Sequence, residues 1–233
     1  MNNRISFEIK ILTLFPEMFP GLLSYSLAGK ALEKNIWKMD IINIRDYATD
    51  NYKRVDDVPY GGGPGMIMRP DILAKAYDAN QPMSNWSKIV LTPRGKPLSQ
   101  KIVKKIASKP GVLLVCGRYE GIDERFIESR SLEEISVGDY VLSGGEPAAF
   151  IVLDSVIRLL SGTAGSPESL IEESFENNNI EYPQYTRPYD WEGLKPPKVL
   201  VSGNHKEIEK WKKQTSIKDT EKRRPDILYS EKK

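Results

Sequence analysis

The chain has 233 residues, of which 39% are hydrophobic, enough for a proper core in one large domain or in one domain with an appendage. Its 34 basic and 32 acidic residues nearly balance, so any binding of nucleic acid must come from a local basic patch. One cysteine excludes an intrachain disulfide, and one histidine argues against a His/Cys metal cluster or a Ser/His/Asp triad. Chemistry is therefore expected from carboxylates, arginines or a cosubstrate, with no metal site.

Targeting signals are not expected either. Residues 1–10 lack the apolar core of a signal peptide, and no run approaches the roughly 18 apolar residues of a membrane span. Cys116 lies inside an apolar run, which favours a buried, inert thiol over a nucleophile and indicates a reducing compartment. We expect a cytoplasmic protein with no membrane partner.

Predicted strands and helices alternate through the first two thirds of the chain. Strands are predicted at residues 7–15, 37–44, 88–91 and 112–116, and helices at residues 18–33, 71–79, 99–107 and 148–160. Ser99 is the expected N-cap of the third helix, and residues 45–68 form a long functional loop. This alternation predicts an α/β fold with a mainly parallel sheet and helices on both faces.

Three loops marked by glycine, residues 92–95, 117–121 and 143–147, each follow an apolar run of strand type; for the third loop that run is residues 136–142. In a parallel sheet these loops gather at the carboxyl edge, where backbone groups can bind a ligand. Taken alone, either of the last two loops could be an ordinary turn. Because the loops carry few cations, an adenosine-bearing ligand without phosphate suits them.

The glycine-rich stretch of residues 61–65 resembles a Rossmann-type nucleotide loop only formally. Asp56, Asp57 and Pro59 occupy the position where a buried strand would have to precede it. A tight turn at a sheet edge is the simpler interpretation, and a nucleotide hydrolase that uses this loop is a distant alternative.

The composition changes after residue 160. Residues 161–179 are rich in Gly, Ser and Asn, which predicts a linker, and Asn204 is the expected N-cap of a helix over residues 205–214, with Ile208 and Trp211 on one face. Basic residues crowd this last segment: Lys206, Lys210, Lys212, Lys213, Lys218, Lys222, Arg223 and Arg224. We expect a domain at residues 1–160, a linker at 161–181 and a small basic helical domain at 182–233. On charge alone, a solvated lysine face is as good an interpretation as an RNA-binding surface.

Three long motifs in this chain resemble one known family. They are Val-Asp-Asp-Val-Pro-Tyr-Gly-Gly-Gly-Pro-Gly-Met (55–66), Val-Cys-Gly-Arg-Tyr-Glu-Gly-Ile-Asp-Glu-Arg (115–125) and Gly-Asp-Tyr-Val-Leu-Ser-Gly-Gly-Glu (138–146), and the likeness continues at residues 185–188, 202–205 and 223–225. The chain thereby resembles the bacterial tRNA (guanine-N1)-methyltransferases of the TrmD family. The resemblance implies a SPOUT fold with a C-terminal trefoil knot in the catalytic domain. It also implies a homodimer and transfer of a methyl group from S-adenosylmethionine to the guanosine at position 37 of tRNA, immediately 3′ of the anticodon.

The same resemblance implies which residues bind the donor. They are Leu91, Thr92, Pro93 and Gly95; Gly117, Tyr119 and Glu120; and Val137, Gly138, Asp139, Tyr140, Val141, Leu142, Gly144 and Gly145. Many relatives have Ser-Pro-Gln-Gly where this chain has residues 92–95, so Arg94 adds a charge whose role the sequence does not assign.

Two further residues match the catalytic pair of the family. Arg158 corresponds to an arginine that stabilises charge on guanine O6, and Glu173 stands where the family has an aspartate general base. The neighbouring Glu172 could share that role. The resemblance implies that donor and base come from opposite subunits, at an interface. A non-catalytic RNA-binding SPOUT protein is the alternative, and a magnesium requirement stays open.

Overall fold

The computed structural model describes residues 6–164, 174–175 and 178–229. The chain divides into two compact units, Met1–Gly165 and Ser166–Lys233. The proposed three-part division at residues 160 and 181 remains a prediction.

The first unit is built on a parallel sheet. Its strands are β1 (Phe7–Thr13), β2 (Trp37–Asn43), β3 (Asp56–Asp57), β4 (Ile67–Met68), β5 (Ser87–Pro97), β6 (Gly111–Cys116) and β7 (Glu133–Ser136). Five of them form one sheet in the order β2-β1-β6-β5-β7, and every neighbouring pair is parallel. The expected mainly parallel sheet is confirmed.

Helices cover both faces of this sheet, namely α1 (Ser26–Glu33), α2 (Pro70–Ala79), α3 (Gln100–Ala107), α4 (Glu124–Ser129) and α5 (Gly145–Ile157). α1, α3 and α5 pack into one apolar cluster, and α2 and α4 pack into the other. The central strand β6 divides its side chains between them, with Leu114 on the first side and Val115 on the second. All six residues of β6 are buried, as its unbroken apolar run predicts for a strand covered on both faces.

The single helix predicted over residues 18–33 is wrong. The segment instead forms two 3-10 turns, Pro16–Met18 and Gly21–Ser24, before α1 begins at Ser26. Pro20 has no N–H to donate, and both Gly21 and Ser26 have positive φ, so no continuous α-helix can pass through them.

Two other boundaries differ from the sequence-based prediction. β5 continues through the first glycine loop to Pro97, whereas β7 ends at Ser136, so residues 137–144 are loop rather than strand. α4 was not expected, although Asp123 caps it through the backbone N–H of Arg125. α3 begins as predicted, because Ser99 Oγ accepts from the Ile102 N–H at 3.4 Å.

Residues 56–68 form a two-stranded antiparallel hairpin, here called the glycine hairpin, in which β3 pairs with β4. Gly61, Gly62, Gly63 and Gly65 lie in its connection and all have positive φ, which glycine adopts without strain. The connection is therefore a turn and not a nucleotide loop that follows a buried strand.

The second unit contains α6 (His205–Arg223) and α7 (Pro225–Tyr229). Asn204 caps α6 as predicted, but the helix continues well beyond residue 214. Thr220, which is buried, accepts from the Ile180 N–H at 2.9 Å, and Ser216 donates to the Ile180 carbonyl at 2.7 Å. These bonds hold the extra turns of α6 although Ser and Thr are modest helix formers. No helix in the described part of the chain is long and apolar enough to cross a membrane.

Candidate functional site

A cavity of about 290 Å³ lies at the carboxyl ends of β6 and β7 and beside residues 90–94 in the middle of β5. All three glycine loops contribute to its wall, as their positions after neighbouring strands predict. Of the predicted donor residues, the following line it: Leu91, Thr92, Pro93, Gly117, Tyr119, Glu120, Val137, Gly138, Tyr140, Val141, Leu142, Gly144 and Gly145. Gly95 and Asp139 do not line it.

The first loop bulges out of the β5–β7 ladder. The pairing register shifts between Leu91, which pairs with Ile135, and Lys96, which pairs with the same residue. Gly95 closes this bulge against β7, because a Cβ at that position would lie 2.5 Å from the carbonyl carbon of Glu134. Gly95 therefore shapes the loop from outside the cavity.

The second and third loops meet where α5 begins. The Gly145 N–H donates to the Gly117 carbonyl at 2.8 Å, and a Cβ on Gly145 would lie 2.7 Å from Cys116 Cα. Only glycine permits this approach of the helix to the end of β6. The first turn of α5 thus forms part of the cavity wall.

An ion pair that sequence reasoning missed joins the same two loops. Arg118 Nε lies 2.9 Å from Oε2 of Glu146, which is fully buried and accepts from Thr13 Oγ1 at 2.7 Å. The Arg118 guanidinium also donates to the Ser143 carbonyl at 3.1 Å and stacks 4.2 Å from the ring centre of Phe15. The available sequence signal was a carboxylate in the first turn of a largely apolar helix.

The cations on the cavity wall are both engaged by glutamates. Arg118 pairs with Glu146, and Arg94 pairs with Glu124 at 2.9 Å. Arg94 therefore has an ion-pair partner next to the cavity. The remaining charged residues of the lining are Glu120 and Glu134, and the apolar ones include Ile122, Ile135 and Ala148. Such a wall suits an apolar or cationic ligand better than a phosphate.

Cys116 ends β6 beside this cavity and is fully buried, as predicted. Burial raises the pKa of its thiol well above the ordinary value, and the nearby Glu146 carboxylate acts in the same direction. A thiol held in this way is a packing group rather than a nucleophile.

Of the two predicted catalytic residues, Arg158 is the one that falls among the described residues. Arg158 follows the last turn of α5, and because α5 has 13 residues this places it about 20 Å along the helix from the cavity end. Glu173 and its neighbour Glu172 fall outside the described residues. Within one described chain, Arg158 and the cavity are therefore not brought together.

The fold and the cavity define an α/β protein with a small-molecule pocket formed by glycine loops at the carboxyl edge of a parallel sheet. The family model for tRNA (Guanine-1)-methyltransferase TrmD matches residues 7–230, and the chain belongs to this family.

Curated relatives named tRNA (guanine-N(1)-)-methyltransferase are similar over nearly the whole chain. A protein from Rhizobium etli is 52% identical over 224 residues, which cover 96% of both chains. One from Wolbachia pipientis wMel is 50% identical over 230 residues, or 97% of this chain and 98% of its own. A third, from Novosphingobium aromaticivorans, is 54% identical over 96% of this chain and 91% of its own.

Proposed function

We propose that this protein transfers a methyl group from S-adenosylmethionine to N1 of the guanosine at position 37 of tRNA. Membership of the family and the names of its relatives support the reaction. The observation that carries the proposal is the convergence on one cavity of all the predicted donor residues except Gly95 and Asp139. The choice of position 37 rests on the family resemblance.

The chemistry of the cavity fits the proposed donor. Loop backbones and apolar side chains such as Leu142 and Ile135 offer a site for adenosine. Glu120 offers a carboxylate to the α-ammonium group of the donor. Arg94 and Arg118 are each paired with a glutamate, so the cavity wall has little affinity for phosphate. S-adenosylmethionine supplies, when bound, an electrophilic methyl group on a positively charged sulfur.

Proton removal is assigned to Glu173. Guanine N1 carries a proton at neutral pH, so its lone pair becomes nucleophilic only as that proton leaves, and a carboxylate near N1 can accept it. Arg158 is assigned to donate to O6, where negative charge develops as N1 is deprotonated. Both assignments follow the match to the family, and Glu172 remains an alternative base.

A homodimer with its active site at the subunit interface, and a trefoil knot in each subunit, complete the proposal. One observation in this chain supports the homodimer. Arg158 is separated from the cavity of its own chain by the length of α5, and a partner subunit could supply a second Arg158 to that cavity. Apolar side chains on this unit are also available for a contact: Leu22, Tyr25, Leu27 and Ile151 are all exposed.

Recognition of tRNA is assigned to the basic second unit. The lysines of α6 provide charge for phosphate contacts, and exposed aromatic rings such as Tyr189 and Trp191 provide surfaces for stacking.

The direct test is methylation of a tRNA transcript with labelled donor, followed by nucleoside analysis. We expect label in 1-methylguanosine at position 37 and none in a transcript that carries adenosine there. Label in another nucleoside would contradict the proposed specificity, and absence of any label would contradict the activity.

The pocket can be tested without turnover. S-adenosylhomocysteine at a hundredfold excess over its Kd should stabilise the folded protein by about 2.7 kcal/mol, because it binds only the native state. The melting temperature should rise, whereas ATP with magnesium should not raise it. An unchanged melting curve with millimolar S-adenosylhomocysteine would count against the cavity as the donor site.

A further inference from the structure

The glycine hairpin (residues 56–68) is bonded to the second cavity loop through backbone groups. The Glu120 N–H donates to the Met66 carbonyl at 3.0 Å, and the Met68 N–H donates to the Gly121 carbonyl at 2.9 Å. The Asp123 N–H continues the pattern to the Met68 carbonyl at 3.2 Å. The hairpin therefore supports this loop along its length, although the hairpin connection does not itself line the cavity.

One glycine of the hairpin faces the side chain of Glu120. A Cβ at Gly65 would lie 2.7 Å from Glu120 Cδ and would overlap its Cγ and Oε1 as well. Real Cβ atoms do not approach other atoms this closely, so any side chain at position 65 has to displace the Glu120 carboxylate. Because Glu120 is exposed, its side chain can take another rotamer, so that displacement costs the fold little.

The Glu120 side chain occupies the space beside Gly65. Within the described residues, no side-chain hydrogen bond or ion pair holds it, while its backbone N–H is fixed on Met66. Absence of a side chain at position 65 is therefore what leaves room for the side chain of Glu120, a residue of the cavity lining.

We propose that Gly65 is a positioning residue for donor binding: it leaves the space in which the Glu120 carboxylate meets the α-ammonium group of S-adenosylmethionine, a group that S-adenosylhomocysteine retains. The inference rests on the proposed function, because that function supplies the cationic ligand. It extends the site to a segment 55 positions earlier in the chain, where the positive φ of the glycines would otherwise be the only reason for a glycine at position 65.

The hairpin provides its own control. Gly62 has φ +77 and Gly65 has φ +86, so alanine meets similar backbone strain at both positions. A Cβ on Gly62 meets nothing within 4 Å, whereas one on Gly65 meets Glu120. The difference between the two alanine variants isolates the contact with Glu120 from the loss of glycine.

The experiment measures binding of S-adenosylhomocysteine by calorimetry to the full-length wild type, Gly62→Ala and Gly65→Ala, with the melting temperature of each. We expect similar melting temperatures for the two variants. Gly65→Ala should bind roughly tenfold more weakly than Gly62→Ala, as expected when one hydrogen bond to a charged group is lost. Should Gly65→Ala fail to fold, asparagine, which tolerates positive φ better, replaces alanine at both positions.

Measuring Gly62→Ala and Gly65→Ala again in a Glu120→Ala background separates an effect through Glu120 from a structural effect of the substitution itself. We expect Gly65→Ala to cost no further affinity there, because the carboxylate it displaces is gone. Equal affinities of the Gly62 and Gly65 variants, or an undiminished loss in the Glu120→Ala background, would overturn the inference. Failure of the wild type to bind S-adenosylhomocysteine would instead overturn the proposed function.

Discussion

Glu146 and Arg118 form a buried ion pair between the second and third cavity loops. Glu146 is fully buried at the start of α5, and the Arg118 side chain is 17% exposed in the second loop. Together with Thr13 at the end of β1, they tie three segments that are far apart in the chain. Burial of such a pair contributes little net stability, but loss of one partner leaves an uncompensated charge.

Glu146→Gln should therefore destabilise the protein by about 3 kcal/mol, because Arg118 loses its counter-ion in a buried setting. The matched control is Glu124→Gln, which breaks the pair with Arg94 at the same 2.9 Å separation but on the surface. That change should cost about 0.5 kcal/mol. Urea unfolding of both variants measures the difference, and equal midpoints would show that burial of the pair has no energetic importance.

Glu173 is the residue to which proton removal is assigned, so Glu173→Gln should lower turnover by roughly 10² to 10⁴ while donor affinity changes little. Glutamine keeps the size and the hydrogen bonding of the side chain but cannot accept the proton. The rate should rise with pH through the pKa of the base in the wild type, and this rise should vanish in the variant.

Glu172→Gln is the control for that experiment and should cost much less. If the two variants exchange phenotypes, Glu172 is the base. Full rate together with an intact pH dependence in Glu173→Gln would refute the assignment.

At the scale of elements, the first donor loop is an interruption of a strand and not the end of one. β5 pairs with β7 on both sides of the bulge, so residues 92–95 are held at two points instead of one. Gly95 permits this second pairing because its α-carbon lies against the β7 backbone. Bulges of this kind direct side chains towards a site while the sheet continues.

Gly95→Ala should destabilise the protein by about 1 to 3 kcal/mol, because backbone atoms of β7 cannot yield as a flexible side chain can. Gly117→Ala is the comparison, since a Cβ there meets its nearest atoms at 3.6 Å, an ordinary contact distance. It should leave the unfolding midpoint nearly unchanged. Equal destabilisation by the two variants would mean that the close approach of Gly95 is not what holds the bulge.

At the scale of the whole molecule, the cavity belongs to the first unit and the lysine-rich helix α6 to the second. Donor binding and tRNA recognition should therefore be separable. A chain that ends at residue 181 should still bind S-adenosylhomocysteine but should lose methylation of tRNA. Calorimetry measures donor binding, and transfer of a labelled methyl group to tRNA measures methylation. Near wild-type methylation by the shortened chain would show that the basic segment is only a solvated surface.

Local features of the sequence were sufficient for much of this molecule. The unbroken apolar run of β6 indicated a strand buried on both faces, Ser99 and Asn204 marked helix starts, and the glycine loops after apolar runs indicated one shared site. Each of these signals depends on neighbours within a few positions, because strand and helix periods and capping bonds are local. The resemblance carried by the long motifs predicted the family that the comparisons confirm.

Tertiary structure decided what depends on residues distant in sequence. Thr13 and Glu146 are 133 positions apart, and neither residue type in its own surroundings indicates the other. Gly65 faces Glu120, and Gly95 lies against β7, for reasons that no local pattern contains. Apolar spacing predicted one helix over residues 18–33, but backbone constraints at Pro20, Gly21 and Ser26 broke it. The physical reason is common to these cases: periodicity reports which face of an element is buried, whereas close approach and ion pairing depend on how the elements pack in three dimensions.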